Sequence, residues 1–133
     1  MLRVAVVAQT SGTANGPEQK RLGLAGSDRV IRVQRTRSDD HRMLAYELIV
    51  LVLRAFPGLT VERDITADVV ELARDHGVVL GRVIERIELV RASAHVARQL
   101  GMRAQSQVLR LDRVTRTPEG MPVEWRLTFA VPT

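Results

Sequence analysis

Arg21-Leu22-Gly23-Leu24, followed by Arg29-Val30-Ile31-Arg32-Val33-Gln34-Arg35, returns later in the chain as Gln99-Leu100-Gly101-Met102, followed by Gln107-Val108-Leu109-Arg110-Leu111-Asp112-Arg113. The offset is 78 residues throughout, Leu22 against Leu100 and Val30 against Val108. Beyond a turn the likeness continues, Met43-Leu44-Ala45-Tyr46-Glu47 against Met121-Pro122-Val123-Glu124, with one residue of slippage at the acid. Each copy reads as helix end, glycine stop, strand, turn, strand. Two copies at so long a period do not make a solenoid. They predict two similar halves sharing one sheet, with related positions facing a common interior.

Working outward, strands are predicted at Arg3–Ala8, Val30–Arg37, Leu44–Leu53, Val83–Val90, Val108–Val114 and Val123–Val131, all rich in β-branched or large apolar residues. Ile65, Val69 and Leu72 recur at helical spacing within Asp64–His76, with Asp64 or Thr66 as N-cap and Gly77 as stop. A second helix is expected over Ser93–Leu100. Its counterpart, Ser11–Leu22, is weakened by Gly12, Gly16 and Pro17. No linker divides the chain, so residues 1–133 are read as one α+β domain, an antiparallel sheet of about six strands with flanking helices.

Composition narrows the function. The 133 residues carry a net charge of +5, and every cation except Lys20 is arginine. These arginines are dispersed, and four aromatic residues give no stacking platform, so direct nucleic-acid binding is not expected. The absence of cysteine excludes disulfide and thiolate chemistry and fits a reducing cytoplasm. No apolar run reaches the ~18–20 residues that cross a bilayer. His41, His76 and His95 lack metal-ligand spacing, no serine sits in a nucleophile elbow, and no glycine-rich phosphate loop follows a strand. Neither a catalytic residue, a metal nor a cofactor is expected, and binding outranks catalysis.

The informative residues are charges that interrupt apolar strands. Ile31, Val33, Arg35 and Arg37 share one strand face, as do Leu109, Leu111 and Arg113 in the second copy. A buried guanidinium continuing an apolar stripe needs a partner, either an anionic ligand or an acid of the domain such as Glu47 or Glu124. The alternative is an arginine at a strand end that reaches solvent. Glu124 alternates with Pro122, Arg126 and Thr128 on a polar face that is either a wet pocket or the outside of the sheet.

These residues also carry a family resemblance. Leu22-Gly23-Leu24, Asp28 to Arg37, Ala45-Tyr46-Glu47 and Phe56-Pro57-Gly58-Leu59 resemble the first half of a UTRA domain (UbiC transcription regulator-associated). Ala97 to Gly101, Val108 to Arg113 and Gly120 to Trp125 resemble its second half. The resemblance implies the effector-binding, dimer-forming half of a HutC-type regulator of the GntR family, with the chorismate-lyase fold. It implies effector-binding roles for Arg35, Arg37, Glu47, Arg82 and Glu124, with Arg35 and Arg37 clamping an anionic group and Glu47 and Glu124 taking an amine, guanidine or hydroxyl. Under it, Arg35→Ala is expected to abolish ligand binding and leave the fold intact. DNA would be reached only through a winged helix-turn-helix not in this chain, and the partners implied are a small-molecule effector and a second copy. Ala67 and Val69 stand where amino-sugar-phosphate sensors carry serine and tyrosine, which implies a smaller or less polar effector. The chain also ends, at Thr133, before the family's usual final strand. Alternatives from other classes are a chorismate-lyase-like enzyme and a ligand-free dimerisation module.

Overall fold

The computed structural model describes residues 1–132; the expectation concerning Thr133 lies outside them. Six strands, β1 (Arg3–Thr13), β2 (Arg29–Ser38), β3 (Met43–Val52), β4 (Arg82–Arg91), β5 (Gln107–Arg116) and β6 (Pro122–Ala130), form one sheet in the order β1-β2-β3-β6-β5-β4. Every neighbouring pair is antiparallel. The helices are α1 (Gly16–Leu22), α2 (Val69–Asp75) and α3 (Ala94–Leu100), with a single 3-10 turn at Leu53–Ala55.

The internal repeat sets this architecture. The bounds of α1 and α3, and of β2 and β5, keep the same 78-residue offset. So do the N-caps Asn15 and Ser93 and the left-handed C-caps Gly23 and Gly101. Strands β3 and β6 meet at the centre, so the halves are related across that seam. Each half's helix crosses it: α1 packs on β6 and α3 on β3. Leu22 of α1 packs with Val30, Val52 and Val114, and Val96 and Leu100 of α3 pack with Tyr46 and Val108.

The segment after β3 has no counterpart in the second half. It folds over the opposite face of the first half, where Phe56, Ile65, Val69 and Leu72 bury Ile31, Val33, Ile49 and Leu51. Among the described residues nothing covers the matching face of the second half in this way, and Val83, Ile87 and Leu89 on β4 are exposed there. The duplication is therefore symmetric in its sheet and asymmetric in what lies on it.

Two local expectations need correction. Gly16 and Pro17 do not weaken α1; they start it. Strand β1 runs on to Thr13, Pro17 occupies the first turn, and Asn15 and Glu18 form a reciprocal capping box. In contrast, α2 begins later than the apolar spacing suggests, with Asp68 rather than Asp64 or Thr66 as its cap. The reason is tertiary. The Ile65 N–H donates to Gln9, and the Ile65 and Ala67 carbonyls accept from Arg35, so these backbone groups cannot enter a helical ladder.

Candidate effector site

Strand register brings the predicted charges together. Arg35 stands opposite Glu47 on β2 and β3, and the uncovered half of the same face contributes Glu124 and Arg126 from β6 and Arg113 from β5. Arg35 Nε donates to Glu47 Oε1 at 2.8 Å, Arg37 Nε donates to the same oxygen at 3.0 Å, and Arg126 lies 3.3 Å from Oε2. In the second half Arg113 donates to Glu124 Oε1 at 3.0 Å. Of the two partners open to these arginines, the acids of the domain are thus the ones they hold. Glu124 is buried, while Pro122, Arg126 and Thr128 on the same alternation are only partly so.

The acids and Arg35 are closed off, while Arg37, Arg113 and Arg126 reach outward. The Glu47 and Glu124 side chains are 3% and 2% exposed, against 13% for Arg126, 18% for Arg113 and 31% for Arg37. Burial pushes the Glu47 carboxyl up, but hydrogen bonding from Arg35 and the charges of Arg35, Arg126 and Arg37 outweigh it and hold the group below its ordinary value. For Arg126, burial foremost depresses the pKa; Glu124 and Glu47 oppose that, and the positive charges of Arg113 and Arg35 add to it. With Glu47 ionised and Glu124 paired to Arg113, the cluster holds four guanidinium groups against two carboxylates.

Arg35, Arg37, Glu47 and Glu124 are thus assembled as a group. Arg82 is not among them: it is exposed at the start of edge strand β4, opposite Arg116, beside a cleft lined by Gly81, Arg116 and the Thr117–Gly120 turn. Ala67 adds only a carbonyl, for Arg35, and the Val69 side chain belongs to the core. Sequence reasoning left Arg113 and Arg126 out of the site. The repeat offset, which carries Arg35 onto Arg113, and the alternation of Arg126 with Glu124 were the signals for them.

The histidines lie elsewhere. His76 caps α2 with its ring 2.8 Å from the Pro57 carbonyl, and His95 on α3 meets the Tyr46 hydroxyl at 3.0 Å. Among the described residues, no group of three His, Cys, Asp or Glu side chains could hold a metal ion. No helix of the described residues is long and apolar enough to cross a membrane.

The chain is thus a six-stranded antiparallel sheet with two crossing helices on one face and a half-covered charged cluster on the other. Solved structures bear out the fold. The ligand-binding domain of a putative GntR-family transcriptional regulator from Bordetella bronchiseptica superposes with a TM-score of 0.86 at 24% identity, covering 98% of this chain and 84% of that one. The effector domain of PhnF from Mycobacterium smegmatis gives 0.87 at 23% identity, covering 98% and 80%. A possible transcriptional regulator, YydK from Bacillus subtilis, gives 0.89 at 14% identity, covering 98% of this chain and 58% of that one. This chain therefore spans less than two thirds of YydK. A comparison with curated protein sequences gives no match. The UTRA domain model matches residues 2–132, and the chain belongs to the UTRA domain family.

Proposed function

We propose that this domain senses a small anionic effector through the Arg35, Arg37, Glu47, Arg113, Glu124 and Arg126 cluster. The observation that carries the reading is the excess of guanidinium over carboxylate at a half-buried position on the sheet. Guanidinium forks facing outward from buried acids attract an oxyanion and select it by geometry. An effector that binds one arrangement of a regulator better than another shifts its population, a coupling typically of about 1–3 kcal/mol. The parent regulator would contact DNA through a separate winged helix-turn-helix, in the cytoplasm, with no catalytic step at this site.

A second copy is the natural cover for the bare half of the sheet face. Val83, Ile87 and Leu89 are exposed on edge strand β4, next to the half-buried Leu109 and Leu111. Apolar side chains gathered on one exposed strand mark an interface, and an edge strand offers unpaired backbone groups as well.

The test is a thermal-shift screen of the purified chain against organic acids, amino acids, sugars and phosphates. An effector at about 100 times its dissociation constant adds about 2.7 kcal/mol. Stabilisation by anions supports the reading. A folded protein that no compound stabilises points instead to a ligand-free dimerisation module, and pyruvate release from chorismate would make it an enzyme.

A further inference from the structure

The four cations of the cluster are not equally committed. Arg35 is spent on the protein itself: Nε donates to Glu47, and one terminal nitrogen donates to the carbonyls of Ile65 at 3.1 Å and Ala67 at 2.8 Å. It pins the covering segment to the sheet. Arg37 shares the same Glu47 oxygen.

The second half differs. Arg113 and Arg126 stand directly opposite one another on β5 and β6, like charges that repel and that Glu124 and Glu47 offset from the side, with Glu85 opposite Arg113 on β4. Register produces this pairing. Arg35 faces Glu47 in the first half, but the place facing Arg113 in the second is held by Arg126. The acid of the second half, Glu124, stands two residues earlier on the same face of β6, opposite Thr115. Glu124 accepts one bond from Arg113, but Arg113 Nε is buried without an acceptor. So is the hydroxyl of Thr115, next along the same face of β5. Buried polar atoms are nearly always paired, so these two orphans, beside facing cations that each hold a single carboxylate, mark unfilled hydrogen-bonding capacity in the network.

Resting on the sensing role above, we infer that Arg113 and Arg126, with Thr115 beside them, form the anion subsite, and that it takes a small doubly charged oxyanion, a dicarboxylate or a phosphate. Arg35 is a positioning residue, holding Glu47 and the covering segment in place. Two charges on the ligand match the cluster's excess of two guanidinium groups over its buried carboxylates. A carboxylate or phosphate edge meets each fork in two parallel hydrogen bonds, one of them on the free Arg113 Nε.

The full chain is titrated calorimetrically with succinate, inorganic phosphate and acetate at matched ionic strength, alongside Arg113→Gln, Arg126→Gln and Arg37→Gln, each checked for an intact unfolding transition. Succinate or phosphate should bind at least about tenfold more tightly than acetate, and Arg113→Gln and Arg126→Gln should each weaken it about tenfold or more. Arg37→Gln should have a much smaller effect. The preferred dianion distinguishes a carboxylate ligand from a phosphoryl one. Because both second-half arginines are partly exposed, one folded variant suffices. Weakening confined to Arg37→Gln would place the anion on the first half, overturning the subsite while leaving the sensing role intact. Failure of both dianions to bind the wild type also overturns it; the sensing role then stands or falls with the broader screen, which contains uncharged and cationic compounds.

Discussion

Arg35 and Glu47 face each other across β2 and β3 at 2.8 Å, both buried, and Arg35 carries two further bonds to the segment that covers them. One guanidinium thus joins the sheet, the acid and the only cover on that face among the described residues. The expectation that Arg35→Ala removes binding while leaving the fold untouched does not suit this geometry. Removing one partner of a buried pair typically costs about 3–5 kcal/mol, and the remaining Arg37 and Arg126 contacts to Glu47 place this case near about 3. Urea unfolding of Arg35→Ala should show that loss. An unchanged midpoint would make Arg35 a free ligand-binding group after all.

Stability should fall with acid in a way that depends on Glu47. Its folded pKa lies below the ordinary 4.5, so the unfolded chain takes up the proton first as pH drops. The contribution is complete above the unfolded value and is lost as pH falls through the folded one. In Glu47→Gln the change in unfolding free energy between neutral pH and about pH 3.5 should be smaller than in the wild type. The difference should be no more than about 1.4 kcal/mol, because pH 3.5 lies one unit below the ordinary 4.5. Parallel pH profiles would mean that Glu47 gains nothing from its arginines.

Gly81 should not tolerate a side chain. A β-carbon there would sit 2.5 Å from the Pro118 backbone, while the Gly81 N–H donates to the Arg116 carbonyl at 2.8 Å. The obstacle is backbone and cannot swing away, so Gly81→Ala should displace the β5–β6 turn at a cost of about 1–3 kcal/mol. Calorimetric melting would read it, and an unaltered melting temperature would show that the start of β4 is free to move.

Leu89→Glu separates folding from assembly. Leu89 is exposed in the isolated chain, so the change should alter folding by no more than about 0.5 kcal/mol. If β4 is the contact between copies, light scattering should report a dimer for the wild type and a monomer for the variant. A variant that remains dimeric would locate the contact elsewhere.

Much of the fold is written locally. Repeated strands, glycine stops and alternating charges placed the strands to within a few residues at most ends, because period-2 patterning and left-handed helix ends are properties of neighbouring residues. The start of α2 was not legible, since its boundary is set by bonds to Gln9 and Arg35, far away in sequence. The long reach of β1 into Thr13 was missed for a similar reason: Gly12 and Thr13 are held there by pairing with Val30 and Arg29.

The sequence by itself determined the duplication, the class of the sheet, and the identity of the charges that had to find partners inside it. Tertiary structure decided which partners they found. Cross-strand register, which no stretch of sequence contains, set Arg35 against Glu47 and Arg113 against Arg126. It also left Arg82 on an exposed edge, outside the cluster. The covering segment then buried one half of the face and left the other open, because packing after β3 has no repeat to copy.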